Sequence, residues 1–417
     1  MLFSSLFNKT AEYEKLAHAL SAPGACALFG LPGSGRAMVY AALAKETGRF
    51  LCIVTPGEAE ATRFAGDLNA LGIPTAVFPA RDYVLRPIEG TAREYEYRRL
   101  SVLGDIVGGR LQAVCVPDEG LTQYTTPRAE FCNNTRTLHP GDTVPRTELT
   151  ALLYNAGYAR RAQVDGPGQF SIRGDIVDLY APDMKLPVRM EFWGDEIDTM
   201  HTFDLATQRR EDPIEKIYVS PAREVLFGSP AEAAELLRAF IKKFRGKKRT
   251  ALEACLATEL AQLDGGALPV NMDKYLAVRY PQPATLLDYF DDPLLVLEEP
   301  ASLREAERAT TYRRGEEISA LLQDGVLAAG LDNLYAENGY LWAQAANYRT
   351  ICAENFARSM PDIPLKDIVN APAHTLPAWG GEVTSLLEDL QPLCNGGAAV
   401  IPSGHESFRN GDSYCQL

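Results

Sequence analysis

Residues 25–37 read Ala25-Cys26-Ala27-Leu28-Phe29-Gly30-Leu31-Pro32-Gly33-Ser34-Gly35-Arg36-Ala37. An apolar run of strand character enters a glycine-rich turn. The turn opens a helical pattern (Val39, Ala42, Leu43, Glu46) that stops at Gly48. This is the strand–loop–helix setting of a phosphate-binding loop, G-x-x-x-x-G-K-[ST]. Gly30, Gly33 and Gly35 are in place, but Arg36 stands where the lysine would reach the phosphates and Ala37 where a hydroxyl would hold magnesium. Backbone N–H groups at a helix start still favour an anion. The metal loses its side-chain ligand, arginine is a planar fork rather than a point charge, and Pro32 removes one N–H from the cradle. The stretch predicts an α/β fold of nucleotide-motor type with a degenerate Walker A loop; a tight turn that binds nothing is the competing reading. Hydrolysis would also need an acid after an apolar strand, for which Asp118-Glu119 is the local candidate. With Arg36 and Ala37 in the loop, no catalytic residue is expected.

Working outward, further strands are predicted at 50–54, 75–78 and 113–116, separated by helices at 58–71 (ended by Gly72) and 93–107. Short apolar runs alternating with helices indicate a parallel sheet buried on both faces. A different texture begins near Thr137. Thr147 is read as the cap of a helix carrying Leu149, Leu152, Leu153 and Ala156, and strand patterns follow at 169–180, 188–193 and 196–203, the last two joined at Gly194-Asp195. The small α+β segment ends near Pro221. Beyond it come a helix at 230–243, a basic knot at 242–249, a strand at 294–297, a helix at 302–322, a proline-rich stretch (Pro361, Pro364, Pro372, Pro377), a helix at 381–393 and a strand at 398–401. The knot is read as a helix C-terminus whose cations complement the helix dipole, with nucleic-acid contact as the alternative.

Composition is that of a globular protein: 417 residues, 46% hydrophobic and 23% charged, long enough for several domains. The net charge of −14 disfavours non-specific nucleic-acid binding by the chain as a whole. Eight cysteines without a C-x-x-C and five histidines without ligand spacing predict free thiols in a reducing compartment, no metal site and a cytoplasmic location. No apolar run approaches the ~20 residues of a membrane span.

Period-2 alternation in 188–193 turns Val188, Met190 and Phe192 to one face, and Arg189, Glu191 and Trp193 to the other. The first set is core. The second carries arginine and tryptophan, types enriched in binding hot spots, and Arg173 on the preceding segment lies within reach of that face. An arginine snorkelling over a packed tryptophan is the alternative reading.

The blocks Gly168-Gln-Phe-Ser-Ile-Arg-Gly-Asp-Ile-Val-Asp-Leu-Tyr180, Pro187-Val-Arg-Met-Glu-Phe-Trp-Gly-Asp-Glu-Ile-Asp198, Phe203-Asp204, Thr207-Gln208-Arg209 and Pro221-Ala222-Arg223-Glu224 occur in an order and spacing that resemble one family. They look like the N-terminal, UvrB-like module of the bacterial transcription-repair coupling factors, the Mfd family. The resemblance is strong over about residues 25–225 and weaker beyond. Two departures separate the chain from UvrB itself: the broken Walker A loop, and a stretch from Arg81 to Arg93 too short for UvrB's DNA-gripping hairpin.

The resemblance implies a helicase-like (P-loop NTPase-like) parallel-sheet domain interrupted by a small α+β domain, plus a C-terminal α/β domain. The expected boundaries are 1–133 (domain 1a), 134–221 (domain 2), 222–345 (domain 1b) and 346–417 (domain 3). It implies a non-catalytic module that recruits UvrA to stalled RNA polymerase in nucleotide excision repair, through domain 2 and the positions Arg173, Arg189 and Trp193. The last is usually another aromatic in the family. ATP, magnesium, RNA polymerase and double-stranded DNA would be engaged by motor and polymerase-binding domains beyond residue 417, and no cofactor is expected here. A divergent UvrB-like helicase fragment that binds nucleotide and damaged DNA is the alternative.

Overall fold

The computed structural model describes residues 10–86, 93–360, 363–371 and 383–395. Two compact units divide at 372/373. The first is built on a seven-stranded sheet with order β15-β1-β14-β13-β2-β4-β3, all its pairings parallel. Its strands are β1 (Gly24–Phe29), β2 (Leu51–Thr55), β3 (Thr75–Val77), β4 (Ala113–Pro117), β13 (Leu294–Glu298), β14 (Arg349–Glu354) and β15 (Leu365–Asn370). Every residue of β1, β2, β4 and β13 is buried. Helices Ala11–Ala19, Gly33–Thr47 and Glu58–Ala70 bring apolar side chains to one core, and helices Glu94–Val107 and Tyr340–Asn347 to the other. Coverage of both faces is why these strands read as unbroken apolar runs rather than alternating ones. The thiols of Cys26 and Cys52 lie within the sheet, and burial pushes both up to about 12.

The inserted segment leaves and returns through a two-stranded ribbon, β5 (Arg136–Leu138) against β12 (Ile217–Val219). Its sheet has order β11-β10-β9-β8-β7-β6. The strands are β6 (Ala159–Arg160), β7 (Gln169–Arg173), β8 (Ile176–Tyr180), β9 (Val188–Trp193), β10 (Glu196–Phe203) and β11 (Arg210–Pro213). One face packs Phe170, Val177, Leu179, Met190, Phe192 and Ile197 against Leu149 and Leu153 of helix Arg146–Asn155.

Several expectations are corrected. The run 169–180 is a hairpin, not one strand, because Gly174 turns at φ +61°. The helix expected to be capped by Thr147 starts at Arg146 behind Pro145. The basic knot straddles two helices, Pro230–Lys242 and Gly246–Cys255, so Lys247, Lys248 and Arg249 sit at a helix N-terminus where cations oppose the dipole. The boundary expected at 345/346 fails because β14 lies between β1 and β13, and β15 pairs with β1. The first unit therefore extends to Pro372, and helix Val383–Asn395 belongs to the second. The strand expected at 398–401 lies outside the described residues, as do residues 87–92 of the Arg81–Arg93 stretch.

Candidate functional site

Two sites follow from the sequence reading: the loop after β1, and the solvent-side face of the inserted sheet.

The helix after β1 begins at Gly33, behind Pro32, leaving a connection of three residues. Gly30 has φ +89°, and a Cβ there would lie 2.7 Å from the Ala371 carbonyl oxygen at the end of β15. Its glycine is thus required by neighbouring backbone. A Cβ on Gly33 would meet the Arg63 guanidinium, whereas at Gly35 it would make only ordinary contacts. Ala37 is buried in the core.

Arg36 does not point outward. Its side chain is 3% exposed and folds in at the C-terminal ends of β13 and β14, with Nη1 2.8 Å from Glu298 and Nη2 2.9 Å from Glu299. Nη1 also donates to the Ala353 carbonyl at 3.2 Å. The Tyr40 hydroxyl donates to the other Glu298 oxygen at 2.5 Å. Burial pushes the Glu298 carboxyl up to about 7, against the pull of Arg36 and Tyr40 in the other direction. The cation in the phosphate-binding position is thus neutralised from within, by an acid ending the strand two places from β1.

Glu298-Glu299 is the acidic pair that sequence reasoning missed. The signal was the run Leu294–Leu297 immediately before it. Strand order, which decides proximity, is not written locally. Asp118, the expected candidate, follows β4 instead, as the first residue of the short helix Asp118–Thr122. It is buried, and desolvation first, then Glu307, raises its carboxyl to about 7. Among the described residues no group of three His, Cys, Asp or Glu is placed to hold a metal ion.

On the inserted sheet, register puts Ser171 opposite Asp178, Asp178 opposite Arg189, and Arg189 opposite His201, all on the face away from the helix. Asp178 is fully buried there beneath two arginines. Arg173 Nη2 lies 2.6 Å from it, and Arg189 grips it through Nε and Nη2 at 2.7 and 2.9 Å. Arg189 also donates to the Gln208 carbonyl (3.2 Å) and lies over the Phe203 ring, 4.6 Å from its centroid. Hydrogen bonding to Asp178 is the main cause of its raised pKa. Glu191 pairs with Arg210, not with either of these arginines.

The three predicted residues therefore share a face but differ in kind. Arg189 is largely internal, Arg173 keeps a half-exposed guanidinium, and Trp193 at the strand end is 84% exposed. An exposed tryptophan and a partly free guanidinium on one face can offer apolar area and a charge-assisted bond to an acidic protein surface. Asp178, the hub, went unrecognised because reading 169–180 as one strand hides the facing change at Gly174.

Fold and insertion together give a parallel α/β sheet interrupted by a small sheet domain. Residues 137–225 match the family described as the UvrB interaction domain. Over most of its length the chain is similar to transcription-repair-coupling factors. It is 26% identical over 393 residues to that of Bacillus subtilis (strain 168), covering 92% of this chain and 33% of the relative. It is 26% identical over 309 residues to that of Staphylococcus haemolyticus (71% and 26%) and 23% over 375 residues to that of Staphylococcus epidermidis (87% and 31%). The chain thus spans about a third or less of the length of these relatives. Among the described residues, no helix is long and apolar enough to cross a membrane.

Proposed function

We propose that this chain is a non-catalytic recruiting module of a transcription-repair coupling factor, and that the outer face of the inserted sheet binds UvrA. The observation that carries the binding reading is Trp193, 84% exposed on the same sheet face as Arg173, within the segment matching the UvrB interaction domain. On this reading Arg173 and Trp193 make the contact. Arg189 is a positioning residue, since its donors are spent on Asp178 and Gln208. The engagement of RNA polymerase, DNA and ATP belongs to the remainder of such a factor, and the setting is cytoplasmic. The Arg36–Glu298 pair favours this over a nucleotide-hydrolysing reading, because the loop's cation is already held by protein carboxylates.

Arg173→Ala and Trp193→Ala are each expected to weaken UvrA binding at least tenfold, about 1.4 kcal/mol; melting stays unchanged in Trp193→Ala and falls in Arg173→Ala, which removes one of the two cations on buried Asp178. Titration calorimetry against purified UvrA is the measurement, and unchanged affinity in both variants would defeat the proposal. Arg189→Ala is expected to lower affinity and also to destabilise the inserted domain, by leaving Asp178 with one cation. The chain is further expected to show no magnesium-dependent ATPase. Turnover abolished by Arg36→Ala would overturn the non-catalytic reading.

A further inference from the structure

Where the inserted domain meets the helices that follow it lies a cleft of about 910 Å³. Its walls include Tyr154 and Arg161 from the inserted domain, Arg223 and Phe227 from the returning chain, and Leu268 and Met272 from the segment after helix Ala257–Asp264. The volume lies within the ~300–1,000 Å³ of ordinary ligand sites. The lining is apolar and cationic and contains no carboxylate, in a chain of net charge −14.

Three arginines line the cleft, and their states differ. Arg93 is committed, 2.7 Å from Glu96 and donating to the Val270 carbonyl at 2.8 Å. Arg161 is exposed, and its side chain makes no hydrogen bond or ion pair among the described residues. Arg223 is anchored by its stem: a Cβ on Gly157, at φ +83°, would lie 2.7 Å from Arg223 Cγ. Its Nη1 is buried with no hydrogen-bond partner. A buried guanidinium N–H without an acceptor is costly, so an acceptor brought by a ligand would stabilise it. Tyr154 is 43% exposed and held edge-on against Phe170, with centroids 5.4 Å apart at 82°. Fixed aromatic surface beside unspent guanidinium groups is the combination that receives stacked bases and their phosphates.

We propose that this cleft binds a short stretch of single-stranded nucleic acid, with phosphates on Arg161 and Arg223 and a base against Tyr154 and the apolar wall at Leu268 and Met272. The site is separate from the Arg173–Trp193 face and independent of the UvrA reading.

The test is anisotropy of fluorescein-labelled dT12 with the whole chain at 50 and 200 mM salt. Saturable binding is expected that weakens with salt as counterions compete. Arg161→Ala should weaken it at least fivefold, and Arg161→Ala with Arg223→Ala at least twentyfold. Trp193→Ala should leave it unchanged. The Arg223 stem packs close to Gly157, so the exposed Arg161→Ala variant, with melting unchanged, decides the matter by itself. No saturable binding, equal affinity in Arg161→Ala, or displacement by a deca-glutamate peptide as effective as by unlabelled dT12 would each overturn the proposal, the last in favour of an acidic peptide.

Discussion

Glu224→Ala is expected to lower the unfolding free energy by about 3–5 kcal/mol, the cost of breaking a buried ion pair from one side. Glu224 has no exposed surface and sits where the chain returns from the inserted domain. Arg99, equally buried, donates to it through Nε at 2.7 Å, and Arg81 Nε lies 3.2 Å away. Arg81 is also bidentate to Asp273 at 2.7 and 2.9 Å, and the Glu224 N–H donates to Glu96 at 3.1 Å. One carboxylate thus ties the segment following β3 to the helix Glu94–Val107, and through Arg81 the network reaches Asp273. Its removal leaves Arg99 buried with neutral acceptors alone, Pro79, Gly120 and Gln123. Urea unfolding measures the loss, and a change below about 1 kcal/mol would refute the role assigned to the network. The pair replacement Arg99→Met with Glu224→Leu is expected to cost less than Glu224→Ala, because it removes both charges rather than stranding one.

Arg36→Ala is expected to destabilise the chain by about 3 kcal/mol, the low end of the same range. The reason is that Glu298 has an escape by taking up a proton. Its folded pKa, near 7, already lies above the value of an exposed glutamate, with burial the largest cause. For an acid whose pKa is raised on folding, the native state holds the proton more tightly. Stability is therefore greatest below the unfolded pKa and declines as pH rises through the folded one. In the wild type this decline ends near pH 7. Without Arg36 the Glu298 pKa rises further, so the decline continues to higher pH and the penalty of the variant grows above pH 7. Urea unfolding at pH 6 and pH 9 measures this; an equal penalty at both would contradict the arrangement. Glu298→Gln is expected to flatten the same dependence.

Much of the parallel sheet was legible in the sequence. The runs at 25–29, 113–116 and 294–297 are apolar throughout because both of their faces are covered, and glycines at 48 and 72 mark turns where φ is positive. The alternation in 188–193 was equally plain, because one face packs on a helix and the other meets water. Strand order was not legible. β14 carries no mark that it belongs between β1 and β13, which is why residues 346 onward read as a separate domain. The hairpin at Gly174 was hidden because apolar residues continue on either side of the turn.

The sequence by itself determined that the loop at Gly30 had lost its lysine and its hydroxyl, and that Arg173, Arg189 and Trp193 share a region of one small domain. These are statements about residue identity and local period, which neighbouring residues encode. Tertiary structure decided what those residues do. It brought Glu298 to Arg36 across more than 260 positions and buried Asp178 beneath two arginines, so that Arg189 holds the face together while Trp193 stands free of it. The physical reason is that a charged group's role depends on which opposite charge reaches it and how far both are removed from water. Only the folded arrangement of distant strands sets those two quantities.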